Sequence, residues 1–191
     1  MANEKLKAFG QSQILGQYGY SHGGVCYYMC NFIESDKGPW DQPNTFAAAK
    51  EKAKNFTEYN AMMNFAKAQN LKAKGGAAHG IQQNLQGVAV AGALANNRIY
   101  RIELWAGEAN KNPENADSID HEIMAVTGTG AEIVYFEPNF GFWAPTEDGA
   151  TNRVALENAV KAQYTSIGWH ALNFKFYNLR GINQKTPKIT Q

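Results

Sequence analysis

Apolar positions along this chain change period partway through. From Cys26 to about Asp36, Cys26, Met29, Cys30 and Ile33 recur at helical spacing with Phe32 beside them, and Lys37-Gly38-Pro39-Trp40 stops the helix. A second helix is predicted from Asn44 or Thr45, either of which can cap it, through a run of strong helix formers to Gly75-Gly76. Residues 77 to 97 read as a helix loosened by Gly80, Gly87 and Gly92. Then alternation takes over. Tyr100, Ile102 and Leu104 fall on one face of a segment at 98 to 105, with Arg101 and Glu103 on the other, the pattern of a half-buried strand.

Residues 107 to 118 form a polar loop, and 121 to 143 read as strand, glycine-bearing turn and strand, a hairpin. Leu156, Ala159, Val160, Tyr164 and Ile167 predict a helix over 151 to 167 that Gly168 ends. A last strand at 171 to 179 alternates Leu172, Phe174 and Phe176 against Asn173 and Lys175. The first 25 residues, rich in Gly, Gln, Ser and Tyr, show neither period and read as an arm or loop. Helices first and antiparallel strands later predict an α+β fold, and neither a repeat nor a linker divides residues 1 to 191 into more than one domain.

Composition narrows the function. The chain has 191 residues, 44% of them hydrophobic, enough for a core without staples. Its net charge of +1 leaves no overall field to recruit nucleic acid or an anionic membrane. No stretch is long and apolar enough to span a bilayer, and the first residues lack the pattern of a general secretory signal. Synthesis in a reducing cytoplasm is the expectation, with any export by a specialised route. Cys26 and Cys30, four residues apart on one helix face, read as free thiols.

Cysteine attacks as thiolate, and a helix N-terminus favours that anion. Gly23-Gly24-Val25-Cys26 places a thiol there, with the Cys26 backbone N–H available to an oxyanion. Such a nucleophile needs a base and a group to orient the base. His121 opens the first hairpin strand and Glu137 closes the second. A three-residue turn, Gly128-Thr129-Gly130, sets His121 opposite Glu137 on one face, whereas a two-residue turn throws Glu137 to the other. Asn139 is an alternative orienter through its amide carbonyl.

Together, GVCYYMCNFIES, the isolated histidine of HEIMAV and YFEPNFGFW resemble the papain-like thiol enzymes, and more narrowly the YopT/AvrPphB type of bacterial effector peptidase. The resemblance rests on about 35 residues and implies a papain-like fold, N-terminal helices against a C-terminal antiparallel sheet. It implies Cys26 as nucleophile, His121 as base and Glu137 as orienter, where the family has Asp. The family's side-chain oxyanion donor lies shortly before the cysteine, where this chain has Ser21 and, further upstream, Gln17. No cofactor is implied. The implied activity is amide hydrolysis of a protein or peptide by a secreted bacterial effector or toxin, served by a secretion chaperone or an immunity protein. The same parts suit a glutamine deamidase or a peptidoglycan amidase.

Two rivals compete with that reading. His22, Cys26 and Cys30 at four-residue spacing, completed by His121, are a candidate zinc set, weakened by Gly23-Gly24 and by the lack of a C-x-x-C pair. The other is a binding module of the same fold that no longer turns over, as the Glu137 departure suggests. His79 and His170 have no companion motif and read as structural. Trp143 is placed to shield the His121 contact from water, and the lysines of 44 to 74 read as a solvated face.

Overall fold

Alternation along the central strands sorts their side chains onto two faces, and each face is roofed by helix. The computed structural model describes residues 3–11, 26–72, 87–108, 121–146 and 150–185. Along them run β1 (Asn3–Ala8), α1 (Cys26–Glu34), α2 (Phe46–Lys54), α3 (Tyr59–Lys72), β2 (Val88–Val90), β3 (Arg98–Glu108), β4 (His121–Thr127), β5 (Ile133–Glu137), β6 (Gly141–Pro145), α4 (Asn152–Ser166) and β7 (Trp169–Gly181). The strands join in one antiparallel sheet, ordered β1-β6-β5-β4-β3-β7-β2. The fold is therefore mixed α and β on an antiparallel sheet.

Met124, Val126, Val134, Phe136 and Phe142 turn toward α1, α2 and α3, where Met29, Phe32, Ile33, Ala49, Ala53, Met62, Met63 and Ala66 meet them. Ile123, Ala125, Ile133 and Tyr135 turn the other way, onto Leu156, Ala159, Val160 and Tyr164 of α4. Removing apolar area from water on both faces supplies the driving force that fixes strand register.

Helix α1 ends where expected because the chain doubles back sharply. The Gly38 N–H donates to Ser35 O (2.9 Å) and the Trp40 N–H to Ile33 O (3.1 Å). A Cβ on Gly38 would lie 2.0 Å from Phe32 O, so only glycine fits. Trp40 is then fully buried, its indole N–H donating to Ala49 O at 3.2 Å.

Several expectations need correction. The single helix over 44 to 74 is two: Thr45 caps α2, accepting from the Ala48 N–H (3.1 Å), and Asn55 closes it. The break turns Phe56 into the core, with its ring 5.4 Å from Phe142 and 5.3 Å from Tyr59. The N-terminal arm contains an edge strand, β1, paired with β6, so the first strand precedes every helix. Of the loosened helix at 77 to 97, residues 88 to 90 are strand β2, and residues up to 86 lie outside the described ones. The hairpin of 121 to 143 is a three-strand meander, because the chain turns again at 138 to 140 and returns as β6.

The strand predicted to be half-buried is buried on both faces. Arg101 and Glu103 are 1% and 4% exposed. Arg101 finds its partners on α1, at Asn31 and Glu34, and Glu103 accepts the Tyr177 hydroxyl of β7 (2.9 Å).

Candidate active site

His121 begins β4 and Glu137 ends β5, so both stand at one end of the sheet. The ladder pairs Thr127 with Ile133 and Met124 with Phe136, leaving a five-residue loop, 128 to 132, in place of the expected three. Two residues of slip preserve side-chain parity. His121 and Glu137 are thus diagonal rather than opposite, on the same face, and still meet. The His121 Nε2 is hydrogen-bonded to Glu137 Oε1. The ring is 6% exposed and the carboxylate 0%.

Glu137 is held from several sides. Its Oε2 accepts the Asn139 backbone N–H (2.8 Å), and Oε1 also accepts the Tyr164 hydroxyl (3.0 Å). The Asn139 amide donates to the Tyr164 hydroxyl (3.0 Å), while its Oδ1 accepts from Gln11 Nε2 (2.7 Å). Among the described contacts, Asn139 therefore braces Glu137 and does not touch His121. Gln11 is itself pinned, its N–H donating to Pro138 O at 2.7 Å. A buried carboxylate with this many donors has its oxygens satisfied and is fixed in orientation.

The thiol completes the arrangement. Cys26 is the first residue of α1, half-buried, and its side chain lies near enough to the His121 ring to act on its charge. With Nε2 engaged by Glu137, Nδ1 is the ring nitrogen left for sulfur. Burial alone would lower the His121 pKa, but the Glu137 charge, then the Cys26 charge and hydrogen bonding, raise it to about 10. The ring is thus an imidazolium at neutral pH. Cys30, one turn on, is fully buried, with its Sγ 3.6 Å from Glu122 O, and burial pushes its thiol well above the ordinary range.

The structure brings Cys26, His121, Glu137 and Asn139 together. Ser21 and Gln17, the upstream oxyanion candidates, lie outside the described residues, as do His22 and His79. Among the described residues no group of three or more His, Cys, Asp and Glu could hold a metal ion. His170 lies in β7, paired with Gly107. Trp143 is half-buried and donates its indole N–H to Phe140 O (2.8 Å), pinning the turn that carries Asn139. Beside the His121 ring stands Tyr164, centroids 6.2 Å apart, with Phe140 edge-on to Tyr164 at 5.5 Å.

Two residues of this neighbourhood escape the sequence pattern. Tyr164 fits the apolar spacing of α4 and reads as core; its only signal is a phenol, which seeks a partner when buried. Gln11 carries no signal, because its role depends on β1 pairing beside β6.

No protein-family model, curated protein or solved structure matches the chain.

Proposed function

We propose that the protein is a papain-like cysteine hydrolase that cleaves amide bonds in a protein or peptide. The observation that carries this is one buried imidazole hydrogen-bonded to an immobilised carboxylate, with the Cys26 side chain close enough to raise its pKa. That is the constellation a nucleophilic cysteine needs.

The Cys26 thiolate adds to the amide carbonyl carbon, and the Cys26 backbone N–H at the start of α1 faces the developing oxyanion. The tetrahedral adduct collapses as the His121 imidazolium gives its proton to the departing nitrogen, the C–N bond breaks and a thioester remains. Neutral His121 then takes a proton from water as the water oxygen attacks the thioester. The C–S bond breaks, the acid leaves, and the thiolate–imidazolium pair is restored. Glu137 keeps the ring oriented and offsets its charge throughout.

On this reading the chain is an effector or toxin of a bacterium, made in its cytoplasm and delivered to a target cell by a specialised system. Its substrate is a host protein. A glutamine side chain or a cell-wall stem peptide suits the same chemistry, and the compartment of action separates them. Wild type and Cys26→Ala expressed in bacterial cytoplasm, bacterial periplasm and eukaryotic cytosol test this. Wild-type toxicity confined to eukaryotic cytosol and lost with the sulfur supports host-protein cleavage; periplasmic toxicity points to wall amidase action. Equal effects of both proteins everywhere contradict a catalytic role for Cys26.

A further inference from the structure

Strand β3 sends Arg101 toward α1, where its guanidinium is buried among groups from two other elements. Its Nε donates to Glu122 Oε1 on β4. One terminal nitrogen, Nη1, donates to Asn31 Oδ1 (2.9 Å) and Glu34 Oε1 (3.0 Å), both on α1. The other, Nη2, reaches the backbone carbonyl of Tyr27 at 3.3 Å, and the guanidinium carbon lies 5.2 Å from the Tyr27 ring centroid. Two of these partners have telling neighbours: Tyr27 follows Cys26, and Glu122 follows His121. One planar group therefore ties the residue after the thiol to the residue after the imidazole.

Resting on the cysteine-hydrolase reading, we propose that Arg101 is a positioning residue, clamping the first turn of α1 to the start of β4 and so setting the alignment of Cys26 with His121. A need for stability does not explain the cluster, since replacing buried ion pairs by apolar side chains of similar volume is often neutral or stabilising. What a guanidinium adds is direction. Its rigid fork aims donors along fixed lines in one plane, which the point charge of lysine cannot do. The surroundings suit that use. Glu34 and Glu122 supply the counter-charges, and burial pushes the Tyr27 phenol up to about 12, so that ring stays neutral against the cation. A second tie runs parallel, from the Cys30 thiol to Glu122 O. Misplacement of a reacting group by about 1 Å is enough to cost on the order of a hundredfold in rate.

The test is the rate at which iodoacetamide alkylates Cys26 at pH 6, with the labelled residue located by peptide mass and folding followed by thermal melting. Wild type is expected to react at least about tenfold faster than glutathione, because a thiol at a helix start beside an imidazole is an activated nucleophile. Arg101→Lys, which keeps the charge and loses the fork, is expected to melt cooperatively but to lose most of that advantage. Asn31→Ala removes one anchor and leaves the charges paired; a smaller loss in the same direction is expected. A folded Arg101→Lys protein that alkylates at the wild-type rate overturns the positioning role. Should Arg101→Lys not fold, a wild-type rate in Asn31→Ala overturns it. Wild type reacting no faster than glutathione removes the cysteine–histidine reading itself, and the positioning role with it, before any variant is compared.

Discussion

Glu137 owes its place to donors rather than to water. The imidazole, the Tyr164 hydroxyl and the Asn139 N–H together satisfy a carboxylate with no exposed surface. That dependence gives the pair a pH signature. His121 in the folded chain titrates near 10, above the roughly 6.5 of an unfolded chain. A folded value above the unfolded one contributes stability in full below the unfolded value and loses it as pH rises through the folded one. Thermal melts of wild type should therefore fall progressively between about pH 7 and pH 10. Glu137→Gln removes the counter-charge, so burial dominates, the ring deprotonates at lower pH, and this slope disappears. A wild type with equal melting temperatures at pH 7 and pH 10 contradicts the ion pair. Against an identified substrate, Glu137→Gln is expected to lose about a hundredfold to ten-thousandfold in turnover, the range for a general acid–base group that is no longer oriented.

Among the elements, the β4–β5–β6 meander does most to build the site, and its two turns differ in tolerance. Gly141 has a φ of 90°, and a Cβ there would stand 2.1 Å from Lys7 O on the neighbouring strand. Gly130 has a φ of 60° but open space around its missing Cβ. Gly141→Ala is expected to cost more than about 2 kcal/mol in denaturant unfolding, because backbone strain and a clash with β1 add. Gly130→Ala should cost only about 1 kcal/mol, from the left-handed conformation alone. Equal losses would mean that the β1–β6 contact contributes nothing. The same meander shows what the sequence could reveal. Alternation on either side of Thr127-Gly128-Thr129-Gly130 made an odd loop a condition for His121 and Glu137 to share a face, and that parity holds. The loop's length did not follow, because five residues preserve parity as well as three and only packing of the two cores chooses between them. Helix α4 was legible in its spacing and its Thr151 and Gly168 boundaries. The break between α2 and α3 was not, since helix propensity runs through it and the cause, a pocket for Phe56 among Phe9, Tyr59 and Phe142, is assembled from distant segments.

In the whole molecule, α1 and the sheet behave as two halves of one site, joined by a charged layer. Period-two reasoning sent Arg101 and Glu103 into solvent, because a single strand cannot show that partners on α1 and β7 meet its polar face. Nor could it show that β1 pairs at the sheet's edge and brings Gln11 to Asn139. What the sequence carried was the chemistry: a thiol at a helix start, an imidazole at a strand start and a carboxylate at a strand end. Folding brings those three ends to one place, and the central claim is that Glu137 holds His121 there beside Cys26. The most direct check is the titration of the His121 ring nitrogens, followed by nitrogen-15 NMR in wild type and in Cys26→Ala. The account predicts an imidazolium that persists in wild type to about pH 10 and deprotonates at lower pH once the sulfur is gone. A ring that titrates near 6.5 in both proteins would contradict it.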